Sequence, residues 1–343
     1  MTAIRREPLA TAATWRAADL ADASAWRHDL SAAEVHDLRA ALEAARATGR
    51  PRSAWRQEDF PLPVLGPRVA EWLEGLERGR GFLNVRGIPV ASLGEEDAEH
   101  VFWGLGLHLG TAVSQNAAGD LLGHVRDTGA DASDPSVRRY KTRIELDFHS
   151  DGSDLVGLLC LRQGRSGGEN RLVSTAALYN EILRRRPDLV PVLYEPFHWD
   201  RNDEQAEGEP PTFELPICRY ADGNLAFFYI GWYIRDAQRH PVPRLTDEQH
   251  ALLDLIDAIA ADPTFHVEMR LEPGEANLLK NNAVLHARTA FQDFQEPTRK
   301  RHMLRLWLTA RGDWADGDAF VQQGIPRKEG VVSDADALPR ADG

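Results

Sequence analysis

Arg299-Lys300-Arg301-His302-Met303-Leu304-Arg305-Leu306-Trp307-Leu308 reads as a β-strand near the end of the chain. Successive side chains of an extended segment point to opposite faces, so Arg301, Met303, Arg305 and Trp307 share one face and His302 is turned away from them. An unpaired buried guanidinium is costly. Two arginines facing inward together therefore imply an anionic partner, which a dicarboxylate would supply. The alternative is an edge strand with both arginines in water, and the adjacent cations Arg299, Lys300 and Arg301 lend that weight.

Working outward, the preceding 150 residues are rich in short β-like runs: Leu155 to Leu161, Arg171 to Ser174, Ile217 to Tyr220, Ala226 to Ile230, His266 to Leu271 and Ala276 to Lys280. Helices interrupt them around Ala176 to Arg185 and after Thr246-Asp-Glu-Gln249, whose Thr and Gln occupy capping-box positions. Many short strands with helical inserts suggest two packed antiparallel sheets, for which a jelly roll is one common solution. The first part of the chain is more helical. Ser31-Ala-Ala-Glu34 opens a helix through Ala47, Val69 to Arg78 predicts a second, Phe82 to Arg86 a strand, and Glu95 to Gly110 a third helix. Gln115 to Ser136 lacks regular patterning and is expected to be loop. The expected organisation is one catalytic domain over 1–343, with a helical elaboration at 1–80, a jelly-roll core with inserts at 81–312 and a weakly ordered tail at 325–343.

The 343 residues are 43% hydrophobic, enough for one large core, and carry a formal charge of -13. That charge opposes binding to nucleic acid, where affinity rests on cationic side chains releasing counterions from phosphates. Small-molecule partners fit better. The N-terminus has no continuous apolar run suited to a signal peptide or a membrane span, so the expectation is a cytoplasmic protein without membrane attachment; association into homo-oligomers is left open. Cys160 and Cys218 form no CxxC pattern and read as reduced, packed thiols.

Phe148-His149-Ser150-Asp151 places an imidazole and a carboxylate two residues apart, on one face of an extended chain. Alone, such a pair is as compatible with a polar strand end as with a metal. His286 lies on a short strand after an Asn281-Asn282 turn and, alone, would suit a satisfied core histidine. Together, two histidines and one carboxylate on one face of a metal leave three coordination positions open, the facial triad of iron(II) oxygenases. Zinc would more usually close its tetrahedral shell, and thiolate ligands are lacking.

The order His149-x-Asp151, His286, Arg301 and Arg305 resembles the taurine dioxygenase, or TauD/TfdA, family. The resemblance extends over about half the chain: Glu145-Leu-Asp-Phe-His-Ser-Asp151, Ser166-Gly-Gly-Glu-Asn170, Asn281-Asn-Ala-Val-Leu-His-Ala-Arg-Thr-Ala-Phe291 and Arg301-His-Met-Leu-Arg-Leu-Trp-Leu308. It implies an α+β, mainly β fold, a double-stranded β-helix of the clavaminate synthase-like jelly-roll type with flanking helices. It further implies Fe(II) held by His149, Asp151 and His286, with 2-oxoglutarate and O2 as co-substrates and hydroxylation of a small organic molecule with release of succinate and CO2. Desaturation, cyclisation or a catalytically silent ligand-binding relative are the alternatives. By matching position, Arg301 would grip the distal carboxylate of 2-oxoglutarate, and Arg305 would lie near its other carboxylate or an anionic part of the substrate. Where taurine dioxygenase has a threonine that helps to hold 2-oxoglutarate, this chain has Asn170, whose amide could donate instead; Ser174 and Thr175 are the other candidates. Related enzymes that install halogen replace the metal carboxylate by a small residue, and Asp151 argues against that outcome.

Substrate selection is expected from Gln115 to Arg126 and Phe197 to Glu204. His198 and Asp200 repeat the HxD spacing but read as a rim salt bridge, His124 and His302 as structural or exposed, and Tyr229 to Tyr233 as core in preference to pocket. A metal-dependent hydrolase would need a general base beside an activated water, for which only Glu145 offers itself, and would leave the inward arginines unexplained.

Overall fold

The computed structural model describes residues 4–131, 137–221, 223–310 and Ile325. Ser31 caps the first helix, Ala32–Ala47, as its spacing predicts: the Ser31 hydroxyl accepts from Glu34 N while the Glu34 carboxylate accepts from Ser31 N at 2.8 Å. Thr246 and Gln249 repeat that reciprocal cap at Asp247–Ala261. The helix Gly66–Arg78 begins three residues earlier than its apolar periodicity suggests, because Pro67 in its first turn has no N–H to leave unsatisfied.

Two sheets form the body. In the larger, Arg27–Asp29, Phe82–Arg86, Ala276–Lys280, Leu155–Arg162, His302–Thr309 and Thr111–Ala112 lie side by side, and Leu122–Val125 also pairs with His302–Thr309. The smaller runs His266–Met269, Asn170–Ser174, Val284–Arg288, Leu146–His149. From Leu146 onward the chain passes back and forth between them in antiparallel pairings, which makes the expected jelly roll.

Both faces of the central strands are covered, so they read as nearly continuous apolar runs. Leu155, Leu159, Leu304, Leu306 and Leu308 pack outward against Leu38, Val69, Trp72, Val101 and Phe102 of the N-terminal helices. Gly157 lies under that contact, where a Cβ would stand 3.0 Å from the Phe102 ring. Val156, Leu158 and Trp307, on the opposite face, line the space between the sheets. The smaller sheet is backed by Leu178, Ile182, Leu252 and Ile256 from helices Thr175–Arg185 and Asp247–Ala261.

Two expectations need correction. Gln115 to Ser136 is not all loop, because Leu122–Val125 lies against Met303 to Leu306. His302–Thr309 is therefore flanked on both sides and is no edge strand with arginines in water. Likewise, Phe197 to Glu204 is only partly loop: Pro196–Asp200 forms a hairpin with Thr212–Pro216, and the connection at 201–211 between them is irregular. The tail expected at 325–343 lies outside the described residues except for Ile325, whose N–H donates to the Ser114 carbonyl at 3.0 Å. Among the described residues, no helix is long and apolar enough to cross a membrane, and both cysteines are buried and unbridged.

Candidate active site

His149 ends its strand directly opposite His286 in the antiparallel register, with the two rings 4.3 Å apart. The chain then turns: Ser150 N donates to the Tyr229 carbonyl, and Asp151 N donates to the Asn281 side-chain oxygen at 2.8 Å. This turn brings the Asp151 carboxylate to 3.5 Å from His286 Nε2 and 4.0 Å from His149 Nε2. One ligand atom from each of the three lies within 4.8 Å of the others. His149 Nδ1 donates to the Asp147 carbonyl at 2.8 Å, which leaves Nε2 unprotonated and its lone pair toward Asp151.

Electrostatics suit a cation there. Burial, and then the neighbouring His286, hold the His149 imidazole down to about 3, so it is neutral and free to ligate. Burial alone would raise the Asp151 carboxyl. The Arg305 guanidinium and the two imidazoles outweigh it and keep the group ionised, well below the usual carboxylate range.

The three side chains open into a cavity of about 700 Å³ between the sheets, which is also lined by Asn170, Arg288, Arg301 and Arg305. All six residues singled out in the sequence thus meet around one space. Arg301 is 1% exposed, and its Nε and Nη1 have no protein partner. Gly168, in the left-handed region at φ +78, lets the backbone pass so close that a Cβ would come within 2.9 Å of Arg301 Nε. Asn170 Nδ2 is likewise buried and unpartnered. Ser174 and Thr175 are engaged elsewhere, Ser174 capping Ala177 N at 3.0 Å and Thr175 bonding to the Asn282 carbonyl at 3.3 Å. Orphaned donors of this kind fit an anionic ligand. Arg305 is differently placed. Its Nε donates to Gln115 at 2.8 Å, its Nη1 lies 3.2 Å from Asp151, and its guanidinium sits 4.8 Å from the Tyr140 ring and 4.7 Å from that of Trp307.

Three neighbours were not assigned to the site from the sequence. Asn281, taken as a turn residue, donates from Nδ2 to the carbonyls of both Asp151 and Ser153, so it fixes the turn that presents the carboxylate. Trp232 packs edge-on against His149 at 5.0 Å, beneath the Arg139 guanidinium at 4.7 Å. Arg288 follows His286 by two residues and donates to the carbonyls of Thr142 and Ile144. The Asn281-Asn282 pair gave a signal, but one indistinguishable from an ordinary turn.

The remaining candidates separate cleanly. Asp200 pairs with Arg239 at 2.6 Å and His240 at 3.2 Å, while His198 faces Glu214 at 3.8 Å. Tyr229 is core, donating to Asp257 at 2.7 Å, whereas Trp232 and Tyr233 line the cavity. His302, turned away as its alternation requires, is buried beside His124 at 2.9 Å and Glu95 at 3.3 Å, a second grouping of metal-ligand types. There the Arg162 guanidinium already bonds to His302 at 3.1 Å and to Glu95 at 2.7 Å, supplying the positive charge a metal would bring.

Residues 45–307 match the model of the family described as taurine catabolism dioxygenase TauD, TfdA family. The chain is 34% identical over 315 residues to the FR-33289 synthase of Streptomyces rubellomurinus, covering 90% of this chain and 92% of that protein. It is 29% identical over 326 residues to the taurine hydroxylase-like protein SAT17 of Stachybotrys chartarum, covering 89% and 82% respectively. An asparagine oxygenase solved with Fe(II), 2S,3S-3-hydroxyasparagine and succinate superposes with a TM-score of 0.64 at 18% identity, over 88% of this chain and 99% of that one, a likeness of fold.

Proposed function

Because the chain belongs to the TauD/TfdA family of dioxygenases, we propose that His149, Asp151 and His286 hold its iron and that it hydroxylates a C–H bond of a small organic molecule. It is an oxygenase dependent on non-haem iron(II), 2-oxoglutarate and O2. Bound iron and 2-oxoglutarate together supply the oxidising chemistry, in which O2 is reduced, the co-substrate loses CO2 to become succinate, and one oxygen atom enters the substrate. The convergence of two imidazoles and one ionised carboxylate on one side of a cavity carries the reading.

The residues of the chain bind and orient. Arg301 takes the distal carboxylate of 2-oxoglutarate through donors that have no protein partner, and Asn170 adds an amide donor to the same end. Arg305 holds the Asp151 carboxylate in place. Trp232, Tyr233, Arg138 and the turn at 201–205 surround the remaining volume and set which substrate C–H faces the metal. A carboxylate among the would-be ligands argues against halogenation and leaves hydroxylation as the default. The likeness to an asparagine oxygenase solved with its hydroxylated amino acid and succinate supports hydroxylation.

Adding Fe(II) and 2-oxoglutarate without oxygen should produce a weak visible charge-transfer band, and admitting oxygen should yield succinate. A protein that shows the band but forms no succinate would be a binding relative instead. The absence of both would remove the proposal.

A further inference from the structure

We infer that Arg288 is a second guanidinium of the co-substrate pocket, acting with Arg301 on the distal carboxylate of 2-oxoglutarate. The inference rests on the co-substrate reading above and adds a residue to it. Arg288 is 3% exposed, lines the same cavity, and stands directly across the strand pair from Asn170, so the two side chains lie on one face. The Arg288 and Arg301 guanidinium groups lie over the Phe291 ring at 4.8 and 5.1 Å. Two cations are thus gathered around one aromatic side chain beside one amide donor.

A purely structural arginine would have its donors satisfied by the protein. Arg288 Nη2 meets that description, bonding to the carbonyls of Thr142, at 3.0 Å, and Ile144. Its Nε and Nη1 do not, since both are buried without a partner, as are Nε and Nη1 of Arg301 and Nδ2 of Asn170. Of the nearby acids, Asp127 pairs with Arg143 at 3.1 Å, and Asp293 accepts the Arg301 backbone N–H at 2.7 Å through Oδ1 while its Oδ2, like the arginine donors, is buried without a partner. Arg288 and Arg301 thus place two buried guanidinium groups side by side, each with Nε and Nη1 donors that lack an acceptor. A carboxylate placed among these donors would relieve both. The Nη2 bonds give the site a further property. They pin the segment leading into the strand Leu146–His149, so the residue that meets the co-substrate also holds a ligand strand in register.

The test removes one partner from each side of the interaction. The ligands are 2-oxoglutarate and 2-oxopentanoate, which keeps the chelating 2-oxo acid and the chain length but ends in methyl. Their affinities for the Fe(II)-loaded protein are measured without oxygen by calorimetry. Loss of a charge-assisted bond predicts that Arg288→Gln weakens 2-oxoglutarate about tenfold or more while changing 2-oxopentanoate less than about twofold. Arg288→Lys, which keeps the charge but loses the planar fork, should show a smaller selective loss of about threefold, and it carries the test if the glutamine variant does not fold. Equal weakening of both ligands, the mark of a structural role, overturns the inference, as does no change in either. Arg301→Gln run in parallel separates the two claims. If it too fails to discriminate between the ligands, the co-substrate assignment itself is wrong; if it discriminates and Arg288→Gln does not, only the role of Arg288 is lost.

Discussion

Replacing Asn281 by alanine should damage stability and metal binding together, for one reason. The side chain is 1% exposed and makes three bonds, accepting from Asp151 N at 2.8 Å and donating to the carbonyls of Asp151 and of Ser153, the last at 2.7 Å. Truncation strands one donor and two acceptors in a buried turn. At roughly 1 kcal/mol for each lost bond the deficit is about 3 kcal/mol, and more where water cannot enter to replace the amide. The same three bonds orient the backbone that carries the Asp151 carboxylate, so iron affinity should fall by about 10- to 100-fold, the usual effect of removing a group that orients a metal ligand. Urea unfolding of the metal-free protein reads the first effect, and anaerobic Fe(II) titration the second. Asn281→Asp keeps the acceptor, loses the donors and adds a charge beside Asp151, so it should be no better. If Asn281→Ala unfolds within about 1 kcal/mol of the parent and binds iron within about twofold, the turn is held by something else and the reasoning fails.

Asp151→Ala and His286→Ala should each abolish the anaerobic charge-transfer band, whereas His198→Ala, which alters a residue outside the cavity lining and 3.8 Å from Glu214, should leave it intact. Arg301→Ala should raise the 2-oxoglutarate concentration needed for half-saturation by about tenfold or more without removing iron, and an unchanged requirement would count against its role. Burial holds His302 down to about 4 from an ordinary 6.5, so the unfolded chain takes up that proton first as pH falls. Its contribution is present above pH 6.5 and lost toward pH 4, on the order of 3 kcal/mol. Urea midpoints measured across that range should fall with pH, and less steeply in His302→Gln.

What could be read in advance was whatever local periodicity or capping encodes. The reciprocal Ser31–Glu34 and Thr246–Gln249 caps, and the strand whose alternation turns Arg301 and Arg305 inward and His302 outward, follow from spacing alone. The six residues that meet around the cavity could be picked out because each sits in a short run with a recognisable order. Leu122–Val125 was not, since a four-residue strand containing Gly123 and His124 has no alternation to detect and exists by pairing with the distant residues Met303 to Leu306. The roles of Asn281 and Arg288 were illegible for a related reason. Their chemistry lies in backbone groups of Asp151, Ser153, Thr142 and Ile144, which carry no side-chain signature and are brought near only by the register between distant strands.

Anomalous scattering recorded at the iron edge, from crystals grown without oxygen and soaked with one equivalent of Fe(II), tests the central claim most directly. A single peak within bonding distance of His149 Nε2, the Asp151 carboxylate and His286 Nε2 is predicted. A peak at Glu95, His124 and His302 instead, or no ordered iron between His149 and His286, would contradict it.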